Sequence, residues 1–255
     1  MVTPGLTVVI PVFNLDSFRL RNLLFVISKL CNTTYKVLVI EQIQQESKLF
    51  LENISDNVVH LKFKASGNLI RKSWLINKSC NFVSTSHIWV IDCDFYMDFS
   101  TIDANTAILH DYYQPYHYSR DLTEKETIEF YINPDIRQIK YYNGLEDSHR
   151  HVNIYGALSF IFNITRYIDI GGMDERYIGW GHEDIDLFLK LHTPDNGKKI
   201  EINRECTGVH LWHPAPPKKI GTNNSNLAIF GEKGYSIDLA TELTLKYYYP
   251  AWGKR

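Results

Sequence analysis

The 255-residue chain carries 27 Lys and Arg against 29 Asp and Glu, a formal charge of −2 with histidine neutral. It therefore has no basic excess with which to hold a nucleic-acid backbone by counterion release, and a nucleic-acid partner is not expected. No segment approaches the roughly eighteen apolar residues of a membrane-spanning helix, and the opening MVTPGLTVVIPVFN lacks the basic start and cleavage site of a signal peptide, so a soluble, cytoplasmic protein without a transmembrane segment is expected. Cys31, Cys80, Cys93 and Cys206 are scattered, without the spacing of a zinc site or a disulfide scaffold, which predicts reduced thiols.

Apolar runs at 6–12, 35–41, 57–63 and 87–94 predict four strands. Helical periodicity fills the gaps at 16–30, through Phe18, Leu20, Leu23, Leu24, Ile27 and Leu30, and at 68–83, through Leu69, Trp74, Leu75, Ile76 and Phe82. Alternation of this kind implies an α/β fold with a mostly parallel central sheet and helices on both faces. In such sheets ligands sit at the carboxyl ends of the strands, which here are Asn14, Glu41 and the pair Asp92 and Asp94.

Beyond residue 101 the pattern weakens. The stretch 112–151, mixed in tyrosines, histidines and charges, reads as an insertion or lid with a helix over 121–131. Strand character returns at 154–164 and a helix opens at about 183–192. A short strand at 205–214 ends at proline, 215–235 reads as a turn-rich mobile tail, and 237–249 as a last helix.

Asp92-Cys93-Asp94 places two carboxylates at a strand end, a pattern suited to a divalent cation that also takes phosphate oxygens, though it also suits capping of the next segment. His210 and His213 are three residues apart and can converge on one ion where the chain bends; imidazole beside carboxylate favours Mn²⁺ over Mg²⁺. Cys93 reads as a small buried hydrophobe, and His149 and His151 as lid residues rather than ligands. In GGMDERYIGWGHEDIDLFLKL (171–191) a Gly-Trp-Gly turn runs into Glu183, Asp184 and Asp186. Helix N-terminal charge accounts for one or two of these acids, Asp186 first among them.

Taken in order, PVFN (11–14), VIEQ (39–42), NLIRKSWLIN (68–77), DCD (92–94), GGMDERYIGWGHED (171–184) and HLWH (210–213) resemble the motifs of GT-A glycosyltransferases. The likeness is closest to the beta-1,4-galactosyltransferases and the chondroitin-polymerase-type transferases, over roughly residues 5–214. The resemblance implies that Pro11, Phe13 and Arg71 help hold a uridine diphosphate, that Glu41 lies near the base or ribose, and that Asp92 approaches the ribose or sugar. It implies Asp94, His210 and His213 as ligands of Mn²⁺ (or Mg²⁺), Trp180 and Glu183 as lining of the sugar and acceptor cleft, and Asp184 as general base. Histidine 182 stands where the family usually has glycine, and His210 where it has methionine, a change expected to strengthen metal binding.

On this reading one domain, 1–255, comprises a nucleotide-binding half (1–100), an acceptor and metal half (101–214) and a C-terminal tail and helix (215–255). The implied activity is metal-dependent, inverting transfer of a hexose-type sugar from a UDP-sugar to a hydroxyl of a carbohydrate or glycoconjugate. A retaining transferase and a non-catalytic nucleotide-sugar or glycan-binding module are the alternatives. Asp184, held in a helix first turn, is expected to stay ionised, with glycines admitting a sugar against the Trp180 ring. Donor choice is expected around Tyr155-Gly156-Ala157 and 112–151, with 172–182 and 214–235 closing over the donor.

Overall fold

The computed structural model describes residues 3–47, 49, 51, 54–139, 150–152, 158–192, 200–214 and 219–240. Its first part alternates β1 (Thr3–Phe13), α1 (Ser17–Leu30), β2 (Lys36–Ile43), β3 (Val58–Lys64), α2 (Lys72–Ser79) and β4 (Thr85–Ile91). There follow β5 (Phe95–Met97), α3 (Ala104–Ala107), β6 (Tyr112–Gln114), β7 (Tyr118–Asp121), α4 (Glu124–Ile132), β8 (Arg150–Val152), β9 (Ser159–Asn163) and α5 (Ile164–Asp169). The last elements are α6 (Glu183–His192), β10 (Ile200–Ile202), β11 (Thr207–His210) and α7 (Lys219–Glu232).

A seven-stranded sheet has the order β10-β6-β9-β4-β1-β2-β3. It is parallel throughout except where β9 runs antiparallel to both β4 and β6. Both faces of β1 are buried because its side chains alternate. Val8, Ile10 and Val12 pack with Leu23, Val26 and Ile27 of α1, while Val9 packs with Leu75 and Ile76 of α2 and Leu187 and Leu191 of α6. Helix α1 starts where Asp16 accepts from the backbone N–H groups of Phe18 and Arg19, at 2.9 and 2.8 Å, the usual satisfaction of first-turn donors.

A smaller sheet, β5-β11-β7-β8, stands against the carboxyl end of β4. Within it β11 is antiparallel to β5 and parallel to β7.

Several sequence expectations need correction. The second helix begins at Lys72 rather than 68, because the Gln42 side chain holds the preceding segment extended: its amide donates to the Leu69 carbonyl at 3.0 Å and accepts from the Arg71 N–H at 2.8 Å. Residues 112–121, read as the start of an insertion, instead supply β6 to the large sheet and β7 to the small one. The helix placed at 121–131 starts at Glu124, fixed by reciprocal bonds between Thr123 and Glu126. The tail 215–235, read as turn-rich, contains the fourteen-residue α7, whose packing against α6 and β10 involves Phe230. Residues 237–240 are helical as expected, while 241–249, the rest of that expected helix, together with 140–149 and Tyr155-Gly156-Ala157, lie outside the described residues. The four cysteines are free thiols, and no helix among the described residues is long and apolar enough to cross a membrane.

Candidate functional site

The site begins where β4 stops. The Asp92 N–H donates to Leu158 O at 2.8 Å and the Phe95 N–H to Asp92 O at 3.1 Å, turning the chain into β5, while the Leu211 N–H donates to Asp94 O at 2.7 Å. Since His210 lies opposite Phe95 in the β5–β11 pair, Asp94 is drawn between two imidazoles. Its Oδ1 is 3.5 Å from His210 Nε2 and its Oδ2 3.2 Å from His213 Nε2. The candidate ligand atoms of Asp94, His210 and His213 all lie within 4.8 Å of one another. One carboxylate and two imidazoles form a donor set that fits a divalent transition ion.

Both rings are oriented from behind. His210 Nδ1 is 3.2 Å from Asp121 Oδ1, an arrangement that turns Nε2 inward, as outer carboxylates do for ligating histidines. His213 Nδ1 lies 2.6 Å from Arg19 Nη2 and 2.9 Å from Pro214 O. A guanidinium only donates, so the Arg19 contact puts the proton of neutral His213 on Nε2. Donation from Nδ1 to Pro214 O would free Nε2 for a ligand role. Burial works against the charge on Asp94, but His210 and His213 outweigh it and hold the carboxyl well below the usual range. Burial likewise opposes charge on His210, and Asp94 and Asp121 overcome it, pushing the imidazole up to about 10. The pocket thus favours a positive charge between its carboxylates.

A second cluster adjoins the first. Lys72, the first residue of α2, places Nζ 3.0 Å from Asp92 Oδ1 and 3.4 Å from Asp184 Oδ2. Glu183 is beside them, at the first turn of α6. One ammonium therefore faces three carboxylates. Burial is the largest influence on Asp184, and with Glu183 and Asp92 nearby it pushes the carboxyl up to about 8 against the pull of Lys72. Burial and the neighbouring acids thus work against the expected ionised form of Asp184, and Lys72 works for it. Burial also raises Asp92 and Glu183. For Lys72 burial favours the neutral form, yet Asp184, Asp92 and Glu183 prevail and raise it. Asp184 Oδ1 and Glu183 Oε2 are buried with no hydrogen-bond partner among the described residues, a costly condition for a merely structural carboxylate. Asp186 Oδ2 likewise lacks a hydrogen-bond partner among the described residues, but lysines face both oxygens of Asp186, Lys233 at 2.6 Å and Lys190 at 3.6 Å, as in a structural ion pair.

The approach to α6 is a loop of left-handed residues, Gly179 (φ 79°), Gly181 (φ 106°) and His182 (φ 71°). A glycine suits position 182 for this reason; the histidine there sets its ring against Phe230, with centroids 5.3 Å apart. Trp180, at 47% exposure, is not a core residue. The Gly179 N–H donates to Ile70 O at 2.8 Å, tying this loop to the segment that leads into Lys72.

Of the residues expected at the site, Asp92, Asp94, Glu183, Asp184, His210 and His213 are brought together. Pro11 and Phe13 lie at the end of β1, with Phe13 opposite Gln42 in β2. The Glu41 carboxylate accepts from Ser47 and pairs with His60 Nε2 at 2.9 Å. Arg71 holds its guanidinium over the Trp74 ring at 5.4 Å, and its buried Nε lacks a hydrogen-bond partner among the described residues. The basic side chain at the centre is its neighbour Lys72. Sequence reasoning missed Lys72, Asp121 and Arg19. Only Lys72 carried a signal, lying inside NLIRKSWLIN. His151 lies in β8 opposite Ser119, and His149 is outside the described residues.

Residues 142–209 match the family described as the N-terminal domain of galactosyltransferase, a segment that includes Glu183 and Asp184. The chain is 31% identical over 70 residues to the uncharacterized glycosyltransferase YfnE of Bacillus subtilis (strain 168), covering 28% of this chain and 17% of that protein. In fold it is similar to S. aureus TarS 1-349, with TM-score 0.54 and 11% identity over 79% of this chain and 59% of that one. It is also similar to a second S. aureus TarS structure, with TM-score 0.56 and 13% identity over 91% of this chain and 44% of that one. The chain thus spans less than two thirds of each of these three proteins. It has the GT-A fold and, over residues 142–209, is similar to the galactosyltransferase family.

Proposed function

We propose that the protein is a metal-dependent, inverting glycosyltransferase that moves a hexose-type sugar from a UDP-sugar to a hydroxyl of a carbohydrate or glycoconjugate. The observation that carries this reading is the Lys72 bridge, which joins Asp92, two residues from the candidate ion ligand Asp94, to Asp184 at the start of α6. On this reading a departing diphosphate would lie beside an attacking hydroxyl.

Inversion in one displacement requires a group to take the proton of the acceptor hydroxyl as it attacks the anomeric carbon. Asp184 is suited to this role, since burial brings its proton affinity near working pH and Oδ1 has no hydrogen-bond partner among the described residues. The neighbouring ammonium of Lys72 stabilises Asp184 in its ionised form. Glu183 offers a second acceptor for an adjacent hydroxyl, and the exposed ring of Trp180 offers an apolar surface to a sugar face. Mn²⁺ or Mg²⁺ held by Asp94, His210 and His213 would stabilise charge on the leaving diphosphate. Pro11, Phe13 and Glu41 stand along the ends of β1 and β2 and Arg71 just before α2, where the nucleotide would lie.

The test is calorimetric titration of UDP with and without Mn²⁺, followed by incubation with UDP-sugars and sugar acceptors and assignment of the product anomer by NMR. Mn²⁺-dependent UDP binding and a product of configuration opposite to the donor are expected. A retained configuration would overturn inversion. UDP bound without turnover would favour a binding module, and no UDP binding in either condition would remove the reading.

A further inference from the structure

Asn226 of α7 is 2% exposed, and its side chain is devoted to the loop before α6. Its Oδ1 accepts from the Ile178 N–H at 3.3 Å. Its Nδ2 faces three carbonyls, those of Ile178 at 3.2 Å, Trp180 at 3.2 Å and Gly181 at 3.0 Å. An amide has two N–H groups, so one of them is shared between carbonyls. This loop carries three left-handed residues, the conformation least able to hold itself by regular backbone pairing. The end of α7 and the residue after it brace the flanks of this loop: Glu232 pairs with Arg176 at 2.9 Å, and Lys233 joins Asp174 at 2.8 Å to Asp186 at 2.6 Å.

We propose that Asn226 is a positioning residue for the acceptor, one that fixes the 178–181 backbone and thereby sets Trp180 and the first turn of α6 relative to each other. This rests on the glycosyltransferase reading above. Asn226 touches no reacting group; it acts by drawing the part-buried carbonyls of Ile178, Trp180 and Gly181 onto one amide.

Asn226→Asp, an isosteric change that replaces both donors with an acceptor, and Asn226→Ala are compared with wild type. Acceptor transfer and donor hydrolysis are measured on the same protein with UDP-sugar and Mn²⁺, beside hydrogen exchange of residues 176–182. The expected result is a raised acceptor KM and a transfer-to-hydrolysis ratio lowered roughly a hundredfold, as for misplacement of bound reactants by about an ångström. Hydrolysis and UDP affinity should be unchanged in both, and exchange at the Ile178 amide roughly tenfold faster in Asn226→Ala, which alone loses the accepting Oδ1. An unchanged ratio and KM, or hydrolysis falling in step with transfer, would overturn the proposal, as would unchanged exchange in Asn226→Ala. A wild-type protein inert toward every donor would sink the transferase reading itself, and the exchange comparison would still decide whether Asn226 holds the loop.

Discussion

The ammonium of Lys72 stands 3.4 Å from Oδ2 of Asp184 while also touching Asp92, so a single cation serves both halves of the site. Lys72→Met leaves the buried Glu183 and the partly buried Asp92 and Asp184 without a counter-charge. Breaking a buried ion group from one side costs about 3–5 kcal/mol, and protonation of the acids recovers part of it. The urea midpoint should therefore fall more near pH 9 than near pH 5, by roughly the protonation energy recovered at the lower pH. An equal loss at both would separate Lys72 from these carboxylates.

Asp184 gives the pH dependence a sign. Its carboxyl sits at about 8 in the folded protein against an ordinary 3.8, so the folded state binds the extra proton between these values. Rising pH through that window ionises a base, and kcat/KM for transfer should climb toward a plateau above about 8. The same rise costs folding stability. Asp184→Asn, which cannot ionise, should lose about 10²- to 10⁴-fold in transfer yet gain stability relative to wild type on the alkaline side only. Chemical denaturation at both ends of the window checks this.

The carboxylate of Asp121 lies 3.2 Å from His210 Nδ1 and sets which nitrogen faces Asp94. Asp121→Asn should weaken Mn²⁺ binding by about 10- to 100-fold, the usual consequence of losing an outer carboxylate. Calorimetry with Mn²⁺ alone measures it, and wild-type affinity in the variant would show that the ring needs no such support.

Gly208 pairs with Met97 across β5 and β11 and lies against the ring of Phe95. A Cβ there would lie 2.1 Å from the ring's Cζ and 2.4 Å from Cε2, and Phe95 is fully buried against Tyr116. Gly208→Ala should destabilise by about 1–3 kcal/mol, the range for overpacking. Because Phe95 follows Asp94 and Gly208 precedes His210 by two residues, Mn²⁺ affinity should drop as well. An unchanged denaturation midpoint would mean that the two strands can separate without strain.

What could be read from the sequence was local. The strands at β1 and β2 and the helices α1 and α6 announce themselves because burial on one or both faces leaves a periodic apolar trace. Asp94, His210 and His213 were recognisable as metal-loving residue types, and the structure brings them together. Lys72 was not recognised, since a lysine at a helix start is ordinarily solvated and only the approach of Asp92 and Asp184 gives it a purpose. Asp121 and Asn226 had no local signal, because each acts on residues distant in the chain. Helix α7 was obscured by glycines and asparagines that usually mark turns, and here tertiary packing outweighs that preference. The short β6 and β7 were lost among tyrosines and charges for want of length.

Asp94 comes from a turn leaving the large sheet, and His210 and His213 from the end of β11 and the segment after it, far from Asp94 in the unfolded chain. An ion that all three grasp would act as a removable cross-link between the two sheets, binding the folded chain far better than the unfolded one. By mass action the unfolding midpoint would then rise with free Mn²⁺ concentration even with no nucleotide or sugar present. Durability and catalysis would in that case depend on the same ion, and a chelator would loosen the fold at concentrations that silence the site.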